Sequence, residues 1–222
     1  MADYVVEFGK DGGREADGRL DAPAFHRNHE AILGVLKRYL TGKSGDMVEA
    51  GSGTGQHVVE FAREFPEIVW WPSDLNEKHL ESIEAWRRHS QLQNIRPPRR
   101  IDLSNSGWCH ELKSTGGPGE LLAIFCANVL HIAPWRVAEG LIKGAGRYLR
   151  HDGMLFLYGP FRRGGRHTAE SNEDFDAKLR QGNPEWGVRD VEALEELARG
   201  AGLSLVEIAE MPANNFTLVW RR

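Results

Sequence analysis

Glu49-Ala50-Gly51-Ser52-Gly53-Thr54-Gly55 follows the apolar pair Met47-Val48 and precedes a helical pattern of Val58, Val59, Phe61, Ala62 and Phe65. A strand, a glycine turn and a helix form the first unit of a nucleotide-binding α/β sheet. There glycines let backbone approach a ligand and the helix N-terminus faces it. Spacing narrows the choice of ligand. A dinucleotide turn reads G-x-G-x-x-G, but Gln56 stands where its last glycine belongs. A phosphate-binding loop reads G-x-x-x-x-G-K-[ST]. Gly42-Lys43-Ser44 supplies its second half, yet Lys37 replaces its first glycine and the triplet precedes a strand. What remains is acid-x-G-x-G-x-G, which a bland glycine loop could also display.

Strands and helices alternate outward from this turn. Residues 1–22 are polar and rich in Gly and Asp, with one strand-like patch at Tyr4–Phe8, and read as an arm or lid. Periodicity predicts a helix over Phe25–Leu40 and strand one at Met47–Ala50. The turn's own helix should end at Phe65 before Pro66. Strand two is Ile68–Trp71, followed by a helix over Asn76–Ser90 and a short strand near Arg99–Leu103. Strand four is Leu121–Ala127, a helix spans Trp135–Leu149, and strand five is Met154–Tyr158. Helices over Ser171–Gln181 and Asp190–Ala201 precede a closing hairpin of Leu203–Ile208 and Phe216–Trp220. Such alternation implies a parallel sheet with right-handed crossovers.

Composition permits one such domain and excludes other classes. The chain has 222 residues, 41% hydrophobic and 27% charged, enough for one α/β core. A net charge of −4 argues against a nucleic-acid binder that relies on a broad basic surface. Two cysteines and nine histidines show neither a zinc spacing nor a disulfide framework, so no metal is expected. No apolar run approaches membrane length, and the chain reads as soluble and cytoplasmic with no membrane partner.

In an open α/β sheet the chemistry gathers beyond the carboxyl ends of the strands. Strand two delivers Asp74, nineteen residues after Gly55 by position, where a carboxylate can accept from ribose hydroxyls. Alternatively Asp74 is a helix cap. Asp102 ends strand three and could accept from an adenine amino group, or merely form the turn Asp-Leu-Ser-Asn-Ser-Gly. Strand four ends in Asn128-Val129-Leu130-His131-Ile132-Ala133-Pro134-Trp135. Asn128 and His131 there could reach a ligand, although a lone histidine is often structural. Arg162, Arg163 and Arg166 after strand five could hold an anion or form a solvated loop.

The glycine signature resembles that of class I methyltransferases, which use S-adenosylmethionine (SAM). The [DNS]-P-P-[FYW] tetrapeptide of enzymes acting on exocyclic amines is missing after strand four. That departure counts against nucleobase or glutamine-amide methylation. A wider set also occurs in order: Arg27-Asn28, Gly51–His57, Trp71–Asp74, His131–Trp135, Tyr158–Phe161, Ser171–Asp176 and Met211–Asn215. Together they resemble a family of uncharacterised methyltransferase-like proteins, over nearly everything from Pro23 to the C-terminus. One departure is Phe25-His26-Arg27-Asn28, where the family usually reads like Ala-Glu-Arg-Asn, so any role of that glutamate is lost.

The resemblance implies a Rossmann-like, mostly parallel seven-stranded sheet with helices on both faces and a C-terminal antiparallel hairpin. The domain is expected over residues 23–222. It also implies SAM binding through the turn (Glu49, Gly51, Ser52, Gly53, Gly55, Gln56 and His57) and strand two (Asp74, Leu75). Asp102, Leu103, Asn128 and His131 complete the expected cofactor set, with Arg27 and Asn28 from the first helix. Trp135, Phe161, Asn172, Phe175, Asn214 and Asn215 are expected to line a pocket for a small-molecule acceptor. Some of them have plainer readings as strand ends or turns. If the acceptor needs a base, His131 comes first and Tyr158 second. Other readings are a SAM-binding sensor without turnover and a methyltransferase of protein side chains.

Overall fold

The computed structural model describes residues 13–114 and 116–222; the strand-like patch at Tyr4–Phe8 lies outside them. The elements in chain order are α1 (Pro23–Leu40), β1 (Gly45–Ala50), α2 (Gln56–Glu64), β2 (Ile68–Asp74), α3 (Glu77–Ser90) and β3 (Arg99–Arg100). Then come α4 (Trp108–Ser114), β4 (Leu121–Ala127), α5 (Trp135–Tyr148), β5 (Leu149–Gly159), β6 (Phe161–Arg163) and β7 (Arg166–His167). The chain closes with α6 (Glu170–Gly182), β8 (Arg189–Asp190), α7 (Val191–Gly200), β9 (Ser204–Met211) and β10 (Asn215–Arg221). Element order follows the sequence reading, with two additions. Helix α4 and the small β7-β6-β8 sheet are too short to announce themselves by periodicity.

The main sheet has seven strands in the order β3-β2-β1-β4-β5-β10-β9. Pairing is parallel from β3 through β5, and antiparallel where β10 meets β5 and β9. Side chains alternate between two apolar layers along each central strand. Leu155 and Leu157 of β5 face a core with α5 and α7, whereas Phe156 and Tyr158 face one with α1 and α2. Trp70, Trp108 and Trp220 are fully buried, which ties three distant parts of the chain to the core.

Some boundaries moved for local reasons. Strand β2 runs through Pro72 to Asp74 rather than stopping at Trp71. Strand β3 pairs only with Ser73 and Asp74, so Pro72, which has no N–H, meets no ladder on that flank. Strand β3 itself covers Arg99–Arg100 alone, because Asp102 folds into a turn. Pro23 occupies the first turn of α1, where its fixed φ suits a helix and its missing N–H is no loss. Strand order reverses between β1 and β4, which opens a crevice at their carboxyl ends.

Candidate functional site

A cavity fills that crevice. Its walls come from the glycine turn (Gly51, Ser52, Gly53, Thr54), the end of β2 (Asp74, Leu75, Asn76) and His79 of α3. Ile101 and Leu103 after β3, and Ala127, Asn128 and Val129 at the end of β4, continue it. Ala22, Ala24, Phe25 and His57 also line it, with Ile132 and Ala133 from the segment after β4.

Each glycine of the turn has its own reason to be there. A Cβ on Gly51 would stand 2.5 Å from Val129 Cγ2, and one on Gly55 would stand 2.8 Å from Ile83 Cα. These two let the turn pack against its own protein. Gly53 has a φ of +56° and a Cβ there would meet no atom of the described residues within 4 Å. It faces the cavity, so its missing side chain leaves room for a ligand.

Asp74 is the polar centre of the site. Its Oδ2 accepts from the Gly53 N–H at 2.9 Å. Its Oδ1 accepts from the Leu75 and Asn76 N–H groups at 2.8 and 2.9 Å and from His79 Nδ1 at 3.1 Å. Asn76, not Asp74, caps α3 by accepting from the Lys78 N–H. Across the turn, the Ser52 N–H donates to the Ser73 carbonyl at 2.7 Å, and Ser73 Oγ donates to the Glu49 carbonyl at 2.8 Å. Glu49 lines the cavity with its Oε2 buried and without a partner among the described residues. Burial pushes its carboxyl up to about 8, against the smaller lowering effect of its hydrogen bond with Ser52, while the Asp74 charge adds to the rise.

At the opposite end, His57 Nε2 lies 2.8 Å from Asn28 Oδ1. Amide oxygens only accept, so the imidazole donates from Nε2. Burial, with a smaller contribution from nearby His29, lowers His57 to about 3, so the ring is neutral. Asn28 also hydrogen-bonds the Tyr158 hydroxyl, whose pKa burial raises despite that bond and the nearby Arg27. Three motifs on α1, α2 and β5 thus meet in one buried network beside the cavity.

Several expected positions lie elsewhere. Gln56 turns away from the cavity: its Oε1 accepts from the Ala22 N–H at 2.7 Å and its Nε2 donates to Asp21 at 2.7 Å. Asp102 accepts from the Ser104 N–H and hydroxyl at 2.9 and 2.7 Å, the turn role, and Ile101 and Leu103 form the wall there instead. Arg27, Asn28 and Gly55 stand behind the walls rather than in them.

The residues expected to carry the acceptor chemistry stand outside the walls as well. His131 is buried against Phe175, their ring centroids 5.4 Å apart, and its carbonyl accepts from the Gly187 N–H. Burial and the Arg189 charge lower its pKa to about 3, too weak for a base at neutral pH. Tyr158, the second choice, is committed to Asn28 and has its pKa raised. Asn172 Nδ2 donates to the Asn214 carbonyl at 2.9 Å, and Asn214 Nδ2 to Ser171 Oγ at 3.3 Å. Asn215 donates to the carbonyls of Pro212 and Ala213. Phe161 belongs to the core, and Trp135 packs against it with the Arg189 guanidinium 5.8 Å from its ring. The bonds between Asn172, Ser171 and Asn214 hold α6 onto the β9–β10 turn.

Sequence reasoning missed His79, Phe25, Ile132 and Ala133. His79 carried one signal, its place five residues after Asp74 at the start of a helix, from which a side chain reaches back over the first turn.

Sheet order, glycine turn and strand-two carboxylate define a class: the Rossmann-like fold of SAM-dependent methyltransferases. An O-methyltransferase family protein from Burkholderia thailandensis superposes with a TM-score of 0.71 at 15% identity, covering 87% of this chain and 55% of that one. An O-methyltransferase family 2 protein from Planctomyces limnophilus, in complex with apigenin, gives 0.70 at 14% identity, covering 87% and 56%. PigF with SAH gives 0.67 at 14% identity, covering 86% and 54%. This chain spans little more than half the length of those structures. Residues 19–222 match the family described as "Protein of unknown function (DUF938)", and the chain belongs to that family.

Proposed function

We propose that this protein binds SAM in the cavity between the glycine turn and Asp74 and transfers its methyl group to a small-molecule acceptor. The observation that carries this reading is the convergence of Gly53, Asp74, Leu103 and Asn128 on one cavity at the β1/β4 switch point. Two features suit the cofactor. The space beside Gly53 is a cradle that any side chain would fill. The buried, unpartnered Glu49 oxygen suits a ligand that carries cationic groups. When bound, SAM supplies an electrophilic methyl group on a sulfonium.

The protein contributes alignment and exclusion of water. Asp74 would accept from ribose hydroxyls, Ile101 and Leu103 would flank the purine, and Asn128 and Glu49 would face the amino-acid end. Phe25, His57, Ile132 and Ala133 would face the acceptor. Among the described residues that line the cavity there is no lysine or arginine, so an anionic acceptor would find no counter-ion. That favours an uncharged, partly apolar molecule over the anion considered for Arg162, Arg163 and Arg166. The apigenin bound to the Planctomyces neighbour is of that kind.

His131 and Tyr158 stand outside the cavity, which favours a second reading, a SAM-binding sensor without turnover. Both cysteines are free and buried, in keeping with a cytoplasmic setting. Calorimetry with SAM, S-adenosylhomocysteine and NAD tests the cofactor. A metabolite library with methyl-labelled SAM tests turnover. No affinity for SAM, or tight NAD binding, overturns the proposal; SAM binding with no methylated product across the library supports the sensor.

A further inference from the structure

His79 lies in the first turn of α3 with its side chain 3% exposed, and forms part of the cavity wall. Its Nδ1 is 3.1 Å from Asp74 Oδ1. An ionised carboxylate only accepts, so Nδ1 carries the proton. The same Oδ1 accepts the Leu75 and Asn76 N–H groups at 2.8 and 2.9 Å. Three donors fill that oxygen, and they come from two directions: backbone at the strand end and a side chain in the first turn of the helix. Among the described residues the other oxygen, Oδ2, holds only the Gly53 N–H at 2.9 Å. A carboxylate oxygen has room for about two donors in its lone-pair plane, so Oδ2 is the one able to take another.

We infer that His79 is a positioning residue for sugar recognition: by loading Oδ1 it sets the plane of the Asp74 carboxylate and turns Oδ2 toward a hydroxyl donor in the cavity. This rests on the proposed cofactor reading and deepens it. The ligand class selected is a nucleoside with its ribose hydroxyls intact. Without His79, Oδ1 keeps two backbone donors that both leave from the strand end, and the carboxylate can rotate about its Cβ–Cγ bond.

Chemistry at a single atom makes this testable. Asparagine can place an amide N–H where Nδ1 stands; glutamine reaches the position of Nε2, although it is closer to histidine in size. Calorimetry with S-adenosylhomocysteine should find His79→Asn within about threefold of wild type, and His79→Ala and His79→Gln weaker by about tenfold or more. With the 2′,3′-dideoxy analogue of the same ligand, wild type and variants should bind alike. Nitrogen NMR of the wild-type imidazole should find the proton on Nδ1, a readout that stands even if a variant fails to fold.

Equal affinity of His79→Ala and wild type for S-adenosylhomocysteine overturns the inference while leaving the cofactor reading intact. So does His79→Gln outperforming His79→Asn, which would mark a space-filling role. An equal loss with the dideoxy analogue also overturns it, since it would mean direct contact with another part of the ligand. A proton on Nε2 alone is a fourth contrary result. If wild type binds no S-adenosylhomocysteine, both readings fall.

Discussion

Asp74 holds four donors on two oxygens, so groups of the protein itself satisfy the polar centre of the cavity. A ribose hydroxyl must share Oδ2 with the Gly53 N–H or displace it. Removing the carboxylate should still weaken SAM binding, because a hydrogen bond to a charged acceptor contributes about 1.5–3 kcal/mol. Asp74→Ala should lose about ten- to a hundredfold in affinity by calorimetry, and an unchanged Kd would remove Asp74 from the ligand. Gly53 combines a φ of +56° with open space on its Cβ side. In Gly53→Val a β-branched side chain would enter the cavity from a strained backbone. SAM binding should vanish while the circular dichroism spectrum is retained; wild-type affinity in this variant would mean that ligands approach from elsewhere.

At the scale of elements, the segment before α1 is built onto α2 and α3. Arg14 and Leu20 form an antiparallel bridge, the Leu20 N–H donates to Ser82 Oγ at 2.9 Å, and Trp86 Nε1 donates to the Leu20 carbonyl at 2.9 Å. Gln56 then ties Ala22 and Asp21 to the start of α2, so the position that a dinucleotide turn gives to glycine here anchors a cavity wall. Gln56→Ala removes these contacts and should cost about 1–2 kcal/mol of stability. Amide exchange should quicken across residues 13–25, and SAM affinity should fall by several-fold as the wall of Ala22, Ala24 and Phe25 loosens. Unchanged exchange in that segment would refute the anchoring role. Helix α6 makes the opposite use of polar groups: Asn172 and Asn214 bind each other to seat the helix over the last turn.

For the whole molecule, Glu49 couples the site to global stability. Its carboxyl sits at about 8 in the folded protein against an ordinary value of 4.5. Between those values the folded state binds the proton more strongly than the unfolded chain. The associated stability is therefore fully present below about pH 4.5 and is lost as pH rises through about 8. Glu49→Gln keeps the shape and removes the titration. Urea unfolding should show the variant gaining on wild type between pH 6 and pH 9. A constant difference between the two proteins at both pH values would mean that Glu49 does not titrate in that window.

Fold class was legible because it rests on short-range signals. The turn from Gly51 to Gly55, the apolar run of β4 and the breaker at Pro66 are local in the chain, and period 2 against period 3.6 separates strand from helix. Half of the site was legible for the same reason: a strand end followed by a glycine turn or an acid is a pattern of neighbours. Competition among hydrogen-bond partners was not legible. Gln56 went to Asp21 and Ala22, and Asn172 to Asn214, because each partner is brought close only by folding, whereas Asp102 took the local turn that the sequence also offered. His131 had the right place at the end of β4, but the packing of α6 and Arg189 buried it and took away its basicity. The sequence by itself determined the order of strands and helices, the glycine turn and the acid that answers it. Only the tertiary structure decided which polar side chains face the cavity and which are spent holding the fold, since burial and partner choice depend on atoms that are far apart in the chain.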